Sequence, residues 1–151
     1  MKIALASDHA GYDLKSAVAA HFRSSGIPFE DFGCGPGETV DYVDYAAKAC
    51  EAVQSGDCDR AVLVCGTGIG MALAANKFKG IRATPCWNAY TVDMSRRHND
   101  SNCLTLGGRI LTAAEGIALA DAWLNTPFEG GRHARRIDKV KQLEEIHFKS
   151  S

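Results

Sequence analysis

Short apolar runs alternate along the chain with stretches in which apolar residues recur every three or four positions. The runs are typical of buried strands, which are predicted at 2–7, 27–32, 60–65, 81–86 and 102–108. The stretches between and after them predict helices at 11–25, 43–55, 70–78, 88–98, 112–124 and 132–147. In the first helix, Leu14, Val18 and Phe22 mark one face, and Thr112 with Glu115 forms a capping box that opens the fifth. The pattern therefore predicts five β-then-α units followed by one further helix.

Strands that alternate with helices form parallel sheets, because each helix carries the chain back to the start of the next strand. We therefore expect an α/β fold, a three-layer αβα sandwich with a five-stranded parallel sheet and an extra C-terminal helix. The chain has 151 residues, which is enough for one domain with its own core. Residues 1–151 are predicted to form this single domain.

Composition narrows the possible partners. The formal net charge of −1 gives no electrostatic reason to bind nucleic acid or an anionic membrane. No apolar stretch approaches the roughly 20 residues that span a bilayer, and the polar residues near the N-terminus argue against a secretory signal. The six cysteines form no C-x-x-C pair, so neither a zinc knuckle nor a thioredoxin motif is indicated. We expect a cytoplasmic protein with reduced thiols.

Ligands of parallel α/β sheets bind beyond the carboxyl ends of the strands. Five segments lie at such ends in the predicted fold. They are Ser7-Asp8-His9, the loop near Asp41-Tyr42, Cys65-Gly66-Thr67, Cys86-Trp87-Asn88 and Gly107-Gly108-Arg109.

The segment VLVCGTGIGMALAANK, residues 62–77, ends a predicted strand at Cys65 and continues with three glycines in five residues. The spacing fits neither the Rossmann glycine motif nor the P-loop, and Met71 stands where a cysteine phosphatase would need arginine. Bare N–H groups at a helix start favour negative charge, so the loop could hold a phosphate or stabilise an anion beside a reactive thiol. A tight turn around an inert buried cysteine is the structural alternative.

Three further motifs carry polar groups: SDHAGY (7–12), SRRHNDSN (95–102) and GGRHARR (130–136). Asp8 either caps the following helix or faces the crevice together with His9. Arg132 and Arg136 share a helix face and suit phosphate, although a solvated terminal helix would look the same. We expect the first two of these motifs and the glycine loop to share one sheet edge, and His98 matters for chemistry only if the fold brings it to Cys65.

The motifs SDHAGY, VDYVDYA, CGTGIGMALAANK, GIRA, SRRHNDSN and GGRHARR together resemble, in order and spacing, the B-type ribose-5-phosphate isomerases. The same family contains the galactose-6-phosphate isomerase subunits. The resemblance covers nearly the whole chain and implies a Rossmann-like fold. It also implies interconversion of an aldose phosphate and a ketose phosphate without metal or cofactor. The family is dimeric or tetrameric, and each active site is built from two chains, so a homodimer or homotetramer is implied here.

The resemblance also implies roles for individual residues. Cys65 matches the base that moves a proton between C1 and C2, and His98 matches the group that opens the furanose ring. Thr67 matches a further contact in the catalytic centre. The other implied substrate contacts are Asp8, His9, Tyr42, Gly66, Gly68, Ile69, Gly70, Asn99, Arg109, Arg132 and Arg136. Among these, the loop glycines match the enediolate site and the three arginines match the phosphate site, with some supplied by the partner chain.

Three alternatives stay open on the residues alone. The substrate could be a six-carbon sugar phosphate, allose or galactose 6-phosphate, because the sequence does not reveal the depth of the pocket. The chain could be a non-catalytic domain that binds a phosphorylated ligand, although such a domain needs neither the thiol nor a ring-opening acid. It could also be a redox-sensing thiol protein if Cys34, Cys86 or Cys103 folds close to Cys65.

Overall fold

The computed structural model describes residues 1–149, and its elements follow the predicted order. The strands are β1 (Ile3–Ser7), β2 (Phe29–Asp31), β3 (Arg60–Cys65), β4 (Ala83–Pro85) and β5 (Cys103–Gly107). The helices are α1 (Tyr12–Ser24), α2 (Tyr42–Ser55), α3 (Ile69–Ala75), α4 (Ala89–Arg97), α5 (Ala113–Asn125) and α6 (Arg132–His147). Strands β2 and β4 are shorter than predicted, because both lie at the edges of the sheet, where only one neighbour pairs with them.

The five strands form one parallel sheet in the order β2-β1-β3-β5-β4. Strand β4 lies two positions away from β3, and β5 then pairs with both of them in the position between. The register pairs Ser7 with Val64 and Cys65 with Gly107, which places the ends of the three central strands side by side. The α/β fold predicted from the sequence is confirmed.

Alternate residues of each strand face opposite sides of the sheet, and the two sides differ in the size of their side chains. Ala61, Leu63 and Cys65 face α2 and α3, in a core made mostly of alanine and cysteine. Val62 and Val64 face the opposite core, where α1, α4 and α5 contribute larger residues. The side chain of Cys65 is therefore directed toward the start of α2 and α3.

Each crossover helix begins at the carboxyl edge of the sheet and ends at the amino edge. Two helix starts are fixed by capping boxes: Asn88 with Thr91 opens α4, and Thr112 with Glu115 opens α5, as predicted. The last helix, α6, lies beside the edge strand β4, with a groove of about 670 Å³ between them. Within residues 1–149, no helix is both long and apolar enough to cross a membrane.

Two glycines allow the segments after β1 and β5 to pass close to neighbouring backbone. A Cβ atom at Gly11 would lie 2.3 Å from the carbonyl oxygen of Val64, and one at Gly108 would lie 2.6 Å from that of Ala10. Both distances are far below van der Waals contact, so only glycine fits. The close approach brings the ends of β1, β3 and β5 within reach of one another.

The space at Gly11 can be tested by the substitution Gly11→Ala. The added methyl group meets rigid backbone, so the variant should lose roughly 1–3 kcal/mol of unfolding free energy in urea denaturation. Gly35→Ala is the matched control, because a Cβ there would lie 3.4 Å from its nearest neighbour, in the side chain of Glu38. Equal urea midpoints for the two variants would contradict the close approach at Gly11.

Candidate active site

Backbone hydrogen bonds join the carboxyl ends of β1, β3 and β5. The Asp8 N–H donates to the Val64 carbonyl at 3.2 Å, and the Gly108 N–H donates to the Cys65 carbonyl at 2.7 Å. The Arg109 N–H donates to the Gly66 carbonyl at 3.0 Å. The structure therefore brings together three of the predicted site segments, those of Asp8, Cys65 and Arg109.

The thiol of Cys65 lies against the glycine loop. Its Sγ accepts a hydrogen bond from the Gly68 N–H at 3.2 Å, and the residue is 4% exposed. Gly68 has φ +85°, and its Cα backs directly onto the main chain of Leu106, which is why glycine is required there. Thr105 Oγ1 donates to the Gly68 carbonyl at 2.7 Å and fixes the turn. A main-chain donor is thus held at the sulfur, where it is a favourable partner for negative charge.

Aromatic and polar side chains cover the rest of the loop. The ring of Tyr42 packs on Gly70, where a Cβ atom would lie 2.9 Å away, and the guanidinium of Arg109 lies beside Gly66. Thr67 Oγ1 accepts a hydrogen bond from the Ile69 N–H at 3.2 Å and so shapes the turn internally. The Thr67 side chain is exposed at the mouth of the site.

Trp87 supports the same loop from the end of β4. Its indole Nε1 donates to the Thr67 carbonyl at 2.9 Å. The sequence placed Trp87 at the carboxyl edge, but nothing in it indicated this contact. The hydrogen bond depends on the return of β5 between β3 and β4, which residue spacing does not reveal.

Asp8 has a structural contact as well as a place at the site. One carboxylate oxygen accepts from the N–H of Gly11 at 3.0 Å, so Asp8 stabilises the turn before α1, whose own start has no side-chain cap. His9 is exposed, and its Nδ1 lies 3.2 Å from both the N–H and the carbonyl oxygen of Val40. The main chain of Val40 therefore fixes the orientation of the ring and leaves Nε2 free of a hydrogen-bond partner within residues 1–149.

The expected position of the SRRHNDSN motif was wrong: within one chain it does not share the edge that carries Cys65. Helix α4 starts at the carboxyl edge and runs for nine residues, about 14 Å, before it ends at His98. Asn102 then bonds to the amino ends of two strands, donating to the Arg82 carbonyl and accepting from the Ala61 N–H. His98 and Asn99 therefore lie at the amino edge, because a crossover helix must return to the start of the next strand.

The start of α6 meets His98 at this amino edge. The imidazole rings of His98 and His133 stack with centroids 4.0 Å apart and planes 12° apart. Burial, and then the neighbouring His98 and Arg132, lower the pKa of His133 against the opposing effect of Glu129, and the lowered pKa favours the neutral ring. Arg132 is the first residue of α6, and Arg136 lies one turn further along the same helix.

The predicted residues thus fall into two groups. The carboxyl-edge group contains Asp8, His9, Tyr42, Cys65, Gly66, Thr67, Gly68, Ile69, Gly70 and Arg109. The amino-edge group contains His98, Asn99, Arg132 and Arg136. One chain carries both groups, but on opposite edges of its sheet.

The fold brings His98, Glu129 and His133 together, with one possible ligand atom from each within 4.8 Å of the others. Glu129 lies in the segment before α6 and His98 at the end of α4, so spacing along the chain does not indicate this group. Imidazole lone pairs lie in the ring planes, and two nearly parallel planes do not direct them at one ion. This arrangement does not favour a metal site, and no metal role is assigned to it.

Fold and site together define an α/β protein with a thiol and a glycine loop of main-chain donors at the carboxyl ends of its strands. The Ribose/Galactose Isomerase family model matches residues 3–140. The ribose-5-phosphate isomerase B of Escherichia coli is 41% identical over 144 residues, which are 95% of this chain and 97% of that protein. The chain belongs to the ribose/galactose isomerase family.

Solved structures agree with this assignment. Ribose-5-phosphate isomerase B of Clostridium thermocellum superposes with a TM-score of 0.95 at 46% identity, over 97% of this chain and 99% of that one. The Mycoplasma genitalium enzyme, solved with bound ribulose-5-phosphate, superposes with a TM-score of 0.88 at 38% identity. That match covers 95% of this chain and 96% of the other.

The surroundings of the cysteines predict which thiol reacts first. Cys65 is the most exposed of the six, and burial raises the pKa of Cys58 and of Cys86. Contact with Cys50, together with burial, raises the pKa of Cys103. Substoichiometric iodoacetamide should therefore label Cys65 first, as read by peptide mass mapping of the folded protein. Labelling of another cysteine at an equal or higher rate would contradict this order, and urea-unfolded protein is the control in which all six should react.

Proposed function

We propose that this protein interconverts ribose 5-phosphate and ribulose 5-phosphate by ring opening followed by proton transfer through an enediolate. The observation that carries the proposal is the Cys65 thiol held on the Gly68 N–H at the end of β3, in a chain of the ribose/galactose isomerase family. The bound ribulose-5-phosphate of the Mycoplasma genitalium relative supports the same substrate class. We further propose that the protein is cytoplasmic and needs neither metal nor cofactor.

Cys65 serves as the base in this mechanism. The thiolate removes the proton from C2 of the open-chain aldose, and the electron pair of that C–H bond forms the C1–C2 double bond while the aldehyde oxygen becomes an oxyanion. Return of that proton from the thiol to C1, with transfer of the O2 proton to the O1 oxyanion, gives the ketose and regenerates the thiolate. Within the loop of residues 66–70, the Gly68 N–H faces the thiolate, and the N–H groups not engaged by Thr67 Oγ1 stabilise the oxyanion, which is the charge that develops in the reaction. Thr67 contributes its hydroxyl at the mouth of this loop.

His98 opens the ring. Ribose 5-phosphate exists mainly as a furanose, and its ring oxygen must gain a proton as the C1 hydroxyl loses one. Ribulose 5-phosphate has no furanose form, because its C5 oxygen carries the phosphate. Loss of His98 should therefore affect kcat in the aldose direction more than kcat in the ketose direction.

The phosphate dianion binds to Arg132 and Arg136, with Arg109 assisting. The glycine loop contains no cation, and a phosphate placed there would push C1 and C2 away from Cys65. Guanidinium groups suit phosphate because they donate paired hydrogen bonds with a permanent charge. The sugar hydroxyl groups and the enediolate are then contacted by the remaining residues, Asp8, His9, Tyr42 and Asn99.

This division requires two chains. The carboxyl-edge group and the amino-edge group occupy opposite ends of the sheet, so we propose that each active site joins one group from each of two copies, in a homodimer or homotetramer. Large apolar side chains exposed beside the carboxyl-edge group support such contact. They are Ile69, Leu73 and Tyr90, which are 49%, 63% and 73% exposed.

The substitution Cys65→Ala tests the reaction and its base together. Wild-type protein in EDTA should convert ribose 5-phosphate to ribulose 5-phosphate faster than it converts allose 6-phosphate or galactose 6-phosphate. Cys65→Ala should lower kcat at least about 100-fold, since a general base contributes that much, while the fold is retained. Cys58→Ala is the control, because that buried thiol lies at the amino end of β3, and near-wild-type turnover by Cys65→Ala would exclude Cys65 as the base.

Subunit mixing tests the shared site. Cys65→Ala and Arg136→Ala place their defects in different groups, so random mixing of two inactive variants should restore about one quarter of the wild-type activity in a dimer. Cys65→Ala mixed with Arg109→Ala is the matched control, because both defects fall in the carboxyl-edge group and no site becomes intact. With subunit exchange verified by native mass spectrometry, equal results from the two mixtures would argue against sharing between chains.

A further inference from the structure

The segment that follows α4 is held in an unusual backbone conformation. Asp100 has φ +46° and is the one non-glycine residue among residues 1–149 with a positive φ. Such a conformation is unfavourable for most side chains, and aspartate and asparagine tolerate it best. Asp100 lies two residues after His98 and directly after Asn99, so its conformation sets the direction of both.

Arg82 holds the segment from the start of β4. Its Nε donates to the carbonyl oxygens of Asn99 at 3.2 Å and Asp100 at 3.1 Å. Its Nη2 donates to the Asp100 carbonyl at 2.7 Å and lies 3.3 Å from the carboxylate Oδ2. One planar guanidinium group thus fixes two successive peptide units and the side chain between them.

Arg96 holds the same segment from within α4. Its Nη1 donates to Oδ1 of Asp100 at 2.9 Å and to the Ser101 carbonyl at 2.6 Å. Its Nε donates to the Thr126 carbonyl beyond α5 at 3.1 Å. The Arg96 side chain is only 4% exposed, so these bonds are shielded from water.

The two arginines therefore donate to the two different carboxylate oxygens of Asp100. They also donate to the carbonyl oxygens of the three residues that follow His98, which are residues 99–101. An ordinary turn needs only glycine or asparagine at the position of Asp100. Two guanidinium groups from separate elements fix the peptide frame far more completely than the turn requires. Hydrogen-bond networks that fix a main-chain segment in this way are typical next to reacting side chains, because those side chains must be positioned to within a fraction of an ångström.

We propose that Arg82, Arg96 and Asp100 are positioning residues that hold His98 and Asn99 in the geometry needed for ring opening and enediolate contact. This inference rests on the function proposed above for His98. The three residues touch no substrate. They act by fixing the main chain from which His98 and Asn99 project.

The substitutions Asp100→Gly and Arg82→Lys test the proposal. Glycine accepts the positive φ but removes both carboxylate contacts, and lysine keeps the charge but cannot span two carbonyl oxygens. Both sites are partly exposed, so each variant should fold, as checked by circular dichroism and Tm. Each should lower kcat with ribose 5-phosphate about tenfold, because small displacements of reacting groups are costly, and lower kcat with ribulose 5-phosphate by less.

The control is Asp93→Asn, which removes the charge from the 2.7 Å ion pair between Asp93 and Arg97 within α4. This pair makes no contact with the segment after His98. It should leave both kcat values unchanged. The equilibrium between the two sugar phosphates fixes only the ratio of kcat/KM in the aldose direction to kcat/KM in the ketose direction. A substitution can therefore change kcat in one direction more than in the other.

His98→Asn separates the two levels of inference. If it fails to lower the aldose kcat selectively, the proposed role of His98 is wrong and the positioning proposal falls with it. A second outcome is that His98→Asn shows the selective loss while Asp100→Gly and Arg82→Lys keep both kcat values of the control variant. The role of His98 then stands, and the positioning proposal is overturned. A fall in Tm without the selective loss of kcat would likewise show that the three residues are structural only.

Discussion

The direction of the strands is the constraint on which the rest of this molecule depends. Every strand points the same way, so every crossover helix starts at the carboxyl edge and ends at the amino edge. Cys65 is at the end of a strand and His98 is at the end of a helix, so one sheet cannot bring them together. Only a second copy, turned to present its amino edge, can complete the proposed site. On this proposal, assembly is a consequence of the topology rather than an addition to it.

The proposed oxyanion site depends on main chain rather than on charged side chains. Gly68 backs onto the strand at Leu106, and Thr105 fixes its carbonyl, so the N–H group at Cys65 has no freedom to turn away. The small residues of the core on that side let α3 begin close to the sheet. Donors held in this way need no reorganisation when negative charge develops, which is the condition for electrostatic stabilisation.

The sequence predicted the elements and the carboxyl-edge group well, because both depend on local information. Apolar runs and helical periodicity locate the strands, and the rule for parallel sheets then places Asp8, Cys65 and Arg109 together. The same rule places His98, at the end of a crossover helix, on the amino edge, so the expectation that its motif shares the edge of Cys65 conflicted with the predicted topology. The contacts of Trp87 and the grip of Arg82 on Asp100 depend on strand order, which spacing along the chain does not encode. The roles of the individual site residues stay predictions.

The two tryptophans give this fold an optical property. Trp87 is 38% exposed and donates to Thr67 in the glycine loop, whereas Trp123 is fully buried and donates to Ser101 in the segment after His98. An indole in a dry interior emits at shorter wavelength than one in contact with water. The long-wavelength part of the emission spectrum therefore comes from the loop beside Cys65 and the short-wavelength part from the opposite edge. Intrinsic fluorescence can follow the two ends of the sheet separately, without a label.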